Sequence, residues 1–157
     1  MTYDFNRDWL IRKFEELQRR TLQALQQLDD EQVNWRPDPE SLSISTLIRH
    51  IEGNLKERIL KGILHEEISR DREEELKQSF VPKAELETIV QTRFQQVIDI
   101  LSRITDEVLE QKQKVRSHEK TNLDTLHQCA AHYSEHMGQI FYIAKQLLKE
   151  NYKSTSI

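Results

Sequence analysis

Apolar residues recur at intervals of three to five positions over four long stretches of this chain, the period of helices that bury one face. The first stretch, from about Asp4 to Leu28, carries Phe5, Trp9, Phe14, Leu17, Leu22, Leu25 and Leu28, with Arg12, Lys13, Glu15, Glu16, Arg19 and Arg20 as a solvated face. Two prolines in Asn34-Trp35-Arg36-Pro37-Asp38-Pro39-Glu40 then force a turn, because the residue before each proline is pushed out of helical geometry. Ser43 suits an N-cap for a second helix running to about Leu60 or Leu64, with Ile44, Leu47, Ile48, Ile51, Leu55 and Ile59 on its buried arc. Pro82 suits the first turn of a third helix that ends near Ile104 and buries Leu86, Ile89, Val90, Phe94, Val97, Ile98 and Leu101. Asn122 is positioned to cap a fourth and longest helix reaching about Glu150.

Two links in this pattern are long. The charged run from Glu66 to Glu75 has no sustained apolar period and reads as a long connection, with room for some helix; Thr105 to Thr121 reads as a second long polar connection. The closing Asn-Tyr-Lys-Ser-Thr-Ser-Ile is expected to fray. The predicted architecture is therefore all-α, a four-helix bundle forming a single domain over residues 1–157, with long links between helices two and three and between three and four.

Composition narrows what such a bundle could do. Acidic and basic residues are interspersed and the net charge is −4, so there is no basic stripe to neutralise a phosphate backbone, and nucleic acid is not an expected partner. No apolar run approaches the roughly 18 residues of a membrane span and no leader pattern opens the chain, which points to a cytoplasmic protein. Cys129 is the only cysteine, which excludes an internal disulfide and a cysteine-rich zinc site. Any metal must use histidine and oxygen donors.

On the fourth helix Leu123, Leu126, Ala130, Met137, Phe141, Ala144 and Leu148 share one line, and Cys129, Ile140, Ile143 and Leu147 form a second line beside it. His132 and His136 fall within or at the edge of that second line, whereas Gln128, Glu135, Gln139, Gln146 and Lys149 occupy the opposite side. Two histidines four residues apart stand one above the other, close enough to share an ion. The spacing alone also fits two half-buried histidines bonded to neighbours. Glu135 stands at the wrong position for the metalloprotease His-Glu-x-x-His pattern. Cys129 reads as a small core residue.

Helix two repeats the anomaly. His50, Asn54 and Arg58 form an i, i+4, i+8 line along the edge of its buried arc, and Arg58 projects between Leu47 and Ile51. A guanidinium there requires an acceptor, whether a carboxylate, a carbonyl or an anionic ligand. His65, His118 and His127 read as ordinary histidines of a helix end, a link and a helix flank.

The segment from Ser43 to Arg58, with its His50-x-x-Gly53-Asn54-x-x-x-Arg58 line, together with His132-Tyr133-Ser134-Glu135-His136-Met137-Gly138-Gln139-Ile140, resembles the DinB/YfiT-like superfamily. The likeness extends over nearly the whole chain. It implies a bundle that binds one divalent ion through His50, His132 and His136, with zinc or nickel ahead of iron or manganese. The family includes thiol-dependent S-transferases and isomerases alongside members with no assigned reaction, so the resemblance implies, without fixing the substrate, a low-molecular-weight thiol such as bacillithiol or mycothiol activated for attack on an electrophilic small molecule. On that reading Arg58 binds a carboxylate of the thiol or substrate, Asn54 orients a ligand or water, and a homodimer is compatible with the family.

Three imidazoles leave a coordination position open, unlike a closed structural site with four protein ligands. The competing expectation is a non-catalytic bundle in which the metal ties helix two to helix four or the surface serves a protein partner. Arg58 separates the two: a transferase needs room and charge beside the histidines, and a structural site would pair Arg58 internally and close the space.

Overall fold

The computed structural model describes residues 2–156. Four long helical segments form the frame: α1 (Asp4–Gln26), α3 (Ile44–Leu55) with a π-helical continuation (Lys56–Lys61), α5 (Lys83–Arg103) and α7 (Asn122–Leu148). Short helices α2 (Asp30–Val33), α4 (Arg72–Leu76) and α6 (Asp106–Glu110) lie in the connections. The link after α6 holds a hairpin, β1 (Lys112–Val115) paired antiparallel with β2 (His118–Thr121), with Val115 opposite His118.

The helix starts follow local chemistry. The Ser43 hydroxyl accepts from the Thr46 amide, and Asp71, Thr105 and Thr121 cap α4, α6 and α7 in the same way. Thr121 thus takes the capping role expected of Asn122. Asn122 is buried one position inside the helix, where its amide nitrogen donates to the Val108 carbonyl at 2.8 Å and its oxygen accepts from Gln113 at 2.9 Å. Pro82 likewise precedes α5 as its N-cap rather than sitting in the first turn.

α1 packs chiefly on α5 and α7, and α3 packs on α4, α5 and α7. Leu10, Phe14, Leu17, Leu25, Leu47, Leu55, Leu86, Phe94, Val97, Leu126 and Ile140 meet in one continuous core. Phe14, Phe94 and Tyr133 form its aromatic centre, with ring centroids 5.9 to 6.2 Å apart in tilted or edge-on contact. Such pairs add about 0.5–1.5 kcal/mol beyond area burial. Tyr133 was absent from the helical lines read from sequence, yet it is fully buried, because its hydroxyl finds an acceptor in Asn54 Oδ1 at 2.9 Å.

Three further expectations are corrected. Phe5 is 75% exposed and Trp9 39% exposed, so the buried stripe of α1 begins at Leu10. The polar link from Thr105 to Thr121 contains both α6 and the hairpin. The expected fraying does not hold as far as Thr155, which is buried and accepts from Arg20 Nε at 3.3 Å, while Gln27 bonds both the amide and the carbonyl of Lys153; Ile157 lies outside the described residues. Among the described residues no helix is long and apolar enough to cross a membrane.

Candidate metal centre

α3 and α7 cross so that three imidazoles face one another. Ring centroids are 5.5 Å apart for His50 and His132, 5.0 Å for His50 and His136, and 4.6 Å for His132 and His136. One ring nitrogen from each lies within 4.8 Å of the others, and the Nε2 atoms of His132 and His136 are 2.9 Å apart. Imidazoles bound to a tetrahedral ion at about 2.0–2.1 Å hold their nitrogens roughly 3.3 Å from each other. The cluster therefore needs only rotamer adjustment to share an ion.

The outward nitrogens are already engaged. His50 Nδ1 donates to Glu75 Oε1 at 3.0 Å, and His136 Nδ1 lies 2.8 Å from Gln139 Oε1. Both contacts favour the tautomer with the proton on Nδ1, which leaves Nε2 of His50 and His136 as an acceptor; that of His136 meets His132 Nε2 at 2.9 Å. Glu75 is itself held by a two-pronged contact from Arg70, Nη2 to Oε1 at 2.6 Å and Nε to Oε2 at 3.2 Å. Arg70 also donates to Glu57 Oε2 at 2.7 Å. This carboxylate can reach His50 only because residue 53 is glycine: a Cβ there would overlap the Glu75 carboxylate.

Burial, followed by the neighbouring His136 and His50, pushes the His132 imidazole down to about 4. Burial also holds His50 below the ordinary histidine value, outweighing the opposing hydrogen bond to Glu75. Both rings are thus neutral near pH 7, the form that binds a metal.

Beside His132 opens a cleft of about 450 Å³, bordered by Asn54 and Arg58 from α3 and its extension, by the hairpin, and by Thr125, Gln128, Cys129 and Glu135 from α7. The structure brings Arg58 here, not into the apolar arc where a regular helix would project it. A π-helical turn, marked by i→i+5 bonds from Gly62 to Glu57 and from Leu64 to Ile59, includes this residue and departs from the 3.6-residue period. The Arg58 carbonyl accepts from Gln113 of β1 at 3.1 Å, tying the hairpin base to this turn. Its guanidinium has one long contact, 3.9 Å to Glu57. Asn54 reaches the cleft as well, but its oxygen is committed to Tyr133, which leaves the amide nitrogen as its donor there.

Of the histidines read as ordinary, His65 is exposed with a left-handed backbone (φ 60°), and His127 bonds Asn6 at 3.1 Å and stacks on Trp9 at 5.6 Å. His118 instead borders the cleft from the hairpin. Glu75, Arg70 and Gln139 escaped the reading from sequence. Two signals pointed toward them: a glycine inside an otherwise good helix, which costs up to about 1 kcal/mol without a packing reason, and the Asp71-x-x-Glu74 capping pattern that converts part of the charged link into α4.

The four-helix frame is shared with solved structures to which the chain is similar in fold. YfiT from Bacillus subtilis, described as "a probable metal-dependent hydrolase with an unusual four-helix bundle topology", is 15% identical, with a TM-score of 0.73 over 94% of this chain and 90% of that one. The DinB-like protein YjoA from Bacillus subtilis is 14% identical, with a TM-score of 0.67 over 88% and 91%. A DinB-like protein from Bacillus cereus is 20% identical, with a TM-score of 0.64 over 88% and 90%. The chain belongs to the family described as "Protein of unknown function (DUF1572)", whose model matches residues 4–157. No curated protein matches the chain.

Proposed function

We infer that the protein is a metal-dependent enzyme that binds one divalent ion through His50, His132 and His136 and activates a small thiol for attack on an electrophile. The observation that carries this reading is the open cleft reaching His132 beside the three-histidine cluster, with Arg58 facing it instead of closing it. A structural ion would have no use for that space. Imidazole donors suit zinc or nickel, with iron or manganese as further candidates.

When bound, such an ion supplies a Lewis acid that lowers the pKa of a thiol or water in its open position. The chain's own residues do the rest. Glu75 and Gln139 hold two imidazoles in the required tautomer, and burial keeps His132 neutral. Arg58 offers a guanidinium to an anionic group of the incoming molecule, and the Asn54 amide offers a donor beside it.

A hydrolytic reading is favoured by the description of the YfiT protein, in which the activated nucleophile would be water. The same assays separate them. Purified without a histidine tag, the protein should carry about one divalent ion per chain and His136→Ala should lose it; full retention in that variant refutes the ligand set. Conjugation of monochlorobimane with a panel of low-molecular-weight thiols should depend on His50. Equal rates for the native protein and His50→Ala, or none with any thiol, would defeat the transferase reading. Cleavage of p-nitrophenyl esters by the same samples would then favour the hydrolase.

A further inference from the structure

The hairpin and the π-helical turn give the cleft an electrostatic character opposite to that of the whole molecule. The chain has a net charge of −4, yet the cleft is bordered by Arg58, Arg116 and Lys120 against one carboxylate, Glu135. These cations are weakly compensated. Glu57, the acid nearest Arg58, is engaged at 2.7 Å by Arg70 and reaches Arg58 only at 3.9 Å. Asp124 stands 3.9 Å from Lys120, and Arg116 has no ion-pair partner among the described residues. Arg116 occupies the hairpin turn with a left-handed backbone (φ 56°), a conformation unfavourable for a side chain of this size and retained here at the rim of the cleft. Gln113 fixes the hairpin base through two bonds, to the Arg58 carbonyl and to the Asn122 side chain, so Arg116 and Lys120 are carried on an anchored arm.

We propose that this cleft is a binding site for the anionic end, a carboxylate or phosphate, of a small molecule, with Arg116 and Lys120 of the hairpin and Arg58 of the π-helical turn as its recognition groups. Partly desolvated walls of one sign concentrate the opposite charge, and about 450 Å³ lies within the range of small-molecule sites, about 300–1,000 Å³. His118, Thr125 and Gln128 add hydrogen-bonding groups to the same walls. His132 also borders the cleft, so a ligand anchored by its anion at the hairpin would present its other end to the histidine cluster. That last step rests on the proposed metal chemistry; the anion site does not.

The test is a titration of the metal-loaded full chain with phenyl phosphate, benzoate and neutral benzyl alcohol, followed by amide NMR shifts and paired with metal analysis. At least one anion should give saturable shifts over residues 115–120 and 125–132, and benzyl alcohol should not; the tighter of the two anions identifies the class. Arg116→Gln/Lys120→Gln, two changes on an exposed arm, should weaken binding about tenfold without changing metal content, and Arg58→Gln should weaken it independently. The proposal is overturned if the double variant binds as tightly as the native chain, if the alcohol binds equally well, or if binding vanishes only with the metal in His136→Ala, which would place the anion on the ion. Retained anion binding in a protein that never takes up metal would refute the proposed function and leave the anion site standing.

Discussion

Replacing Gly53 by alanine tests the link between helix geometry and the candidate metal centre. In an open helical position this change should stabilise by about 0.5–1 kcal/mol, since glycine loses more backbone freedom on folding. At Gly53 the added methyl group would overlap the Glu75 carboxylate, which is buried and pinned by Arg70 and His50. Because the obstacle is the end of a side chain, the backbone can stay in place while the carboxylate withdraws. Withdrawal breaks the bond to His50 and loosens the two-pronged Arg70 contact. Hydrogen bonds to charged groups contribute about 1.5–3 kcal/mol each, so the expected net result is a loss of about 1–3 kcal/mol in urea unfolding of the metal-free protein. Freed from its carboxylate, His50 loses tautomer and orientation, and losing such a partner lowers metal affinity about 10–100-fold. Competition with a colorimetric chelator measures that change. Glu75→Gln leaves the space unfilled and should weaken metal binding in the same direction. A Gly53→Ala protein that is more stable and binds metal as tightly as the native chain would refute the assigned role of Glu75.

Gly138 provides the contrast: an added Cβ meets nothing within 4 Å, so Gly138→Ala should raise stability by about 0.5–1 kcal/mol in the same unfolding assay. The Cys129 thiol, pushed up to about 11 chiefly by burial, should react with iodoacetamide in native protein at pH 8 far more slowly than after unfolding; equal rates would contradict its burial. The metal-free protein should also lose stability under mild acid. His132 titrates at about 4 in the native state and at 6.5 when unfolded, so the unfolded chain binds the extra proton between those values and stability falls as pH drops from about 6.5 toward 4. The full shift corresponds to about 3 kcal/mol, which solvent screening at this half-buried ring reduces to about 1–2 kcal/mol. Denaturation midpoints at pH 7, 5.5 and 4.5 measure it, and His132→Gln should flatten the dependence.

The four long helices and the three facing histidines were legible because both follow from a single period. Residues such as Leu47, Ile51 and Leu55 declare a face, and His50 and the His132/His136 pair declare themselves by interrupting it. Features lying off that period were not legible. Arg58 was misplaced because a helical wheel assumes 3.6 residues per turn, and the π-helical turn from Lys56 to Lys61 violates that assumption at this residue. The hairpin was missed because Lys112-Gln113-Lys114-Val115 and His118-Glu119-Lys120-Thr121 lack an alternating apolar face, and its Arg116-Ser117 turn has no glycine or asparagine to announce it. Tyr133 shares the period of Leu126 and Met137, but the sequence carries no sign of the Asn54 acceptor that lets its hydroxyl be buried. Glu75 sat among several like-charged neighbours, and only the chain path selects it over Glu73 and Glu74.

That path also explains how one arginine serves two sites. Arg70 holds Glu75 against His50 on one side and takes the Glu57 carboxylate on the other. Had Glu57 been available to Arg58, the cleft would have lost its innermost cation to an internal ion pair. By engaging Glu57 at 2.7 Å, Arg70 leaves Arg58 with a contact of 3.9 Å and a guanidinium open to a ligand. The charged segment between α3 and α5, which looks like a solvated tether, thereby orients a candidate metal ligand and frees a candidate substrate-binding charge with the same side chain. Its work depends on where α4 places Glu75 and on the missing side chain at Gly53 that lets it approach.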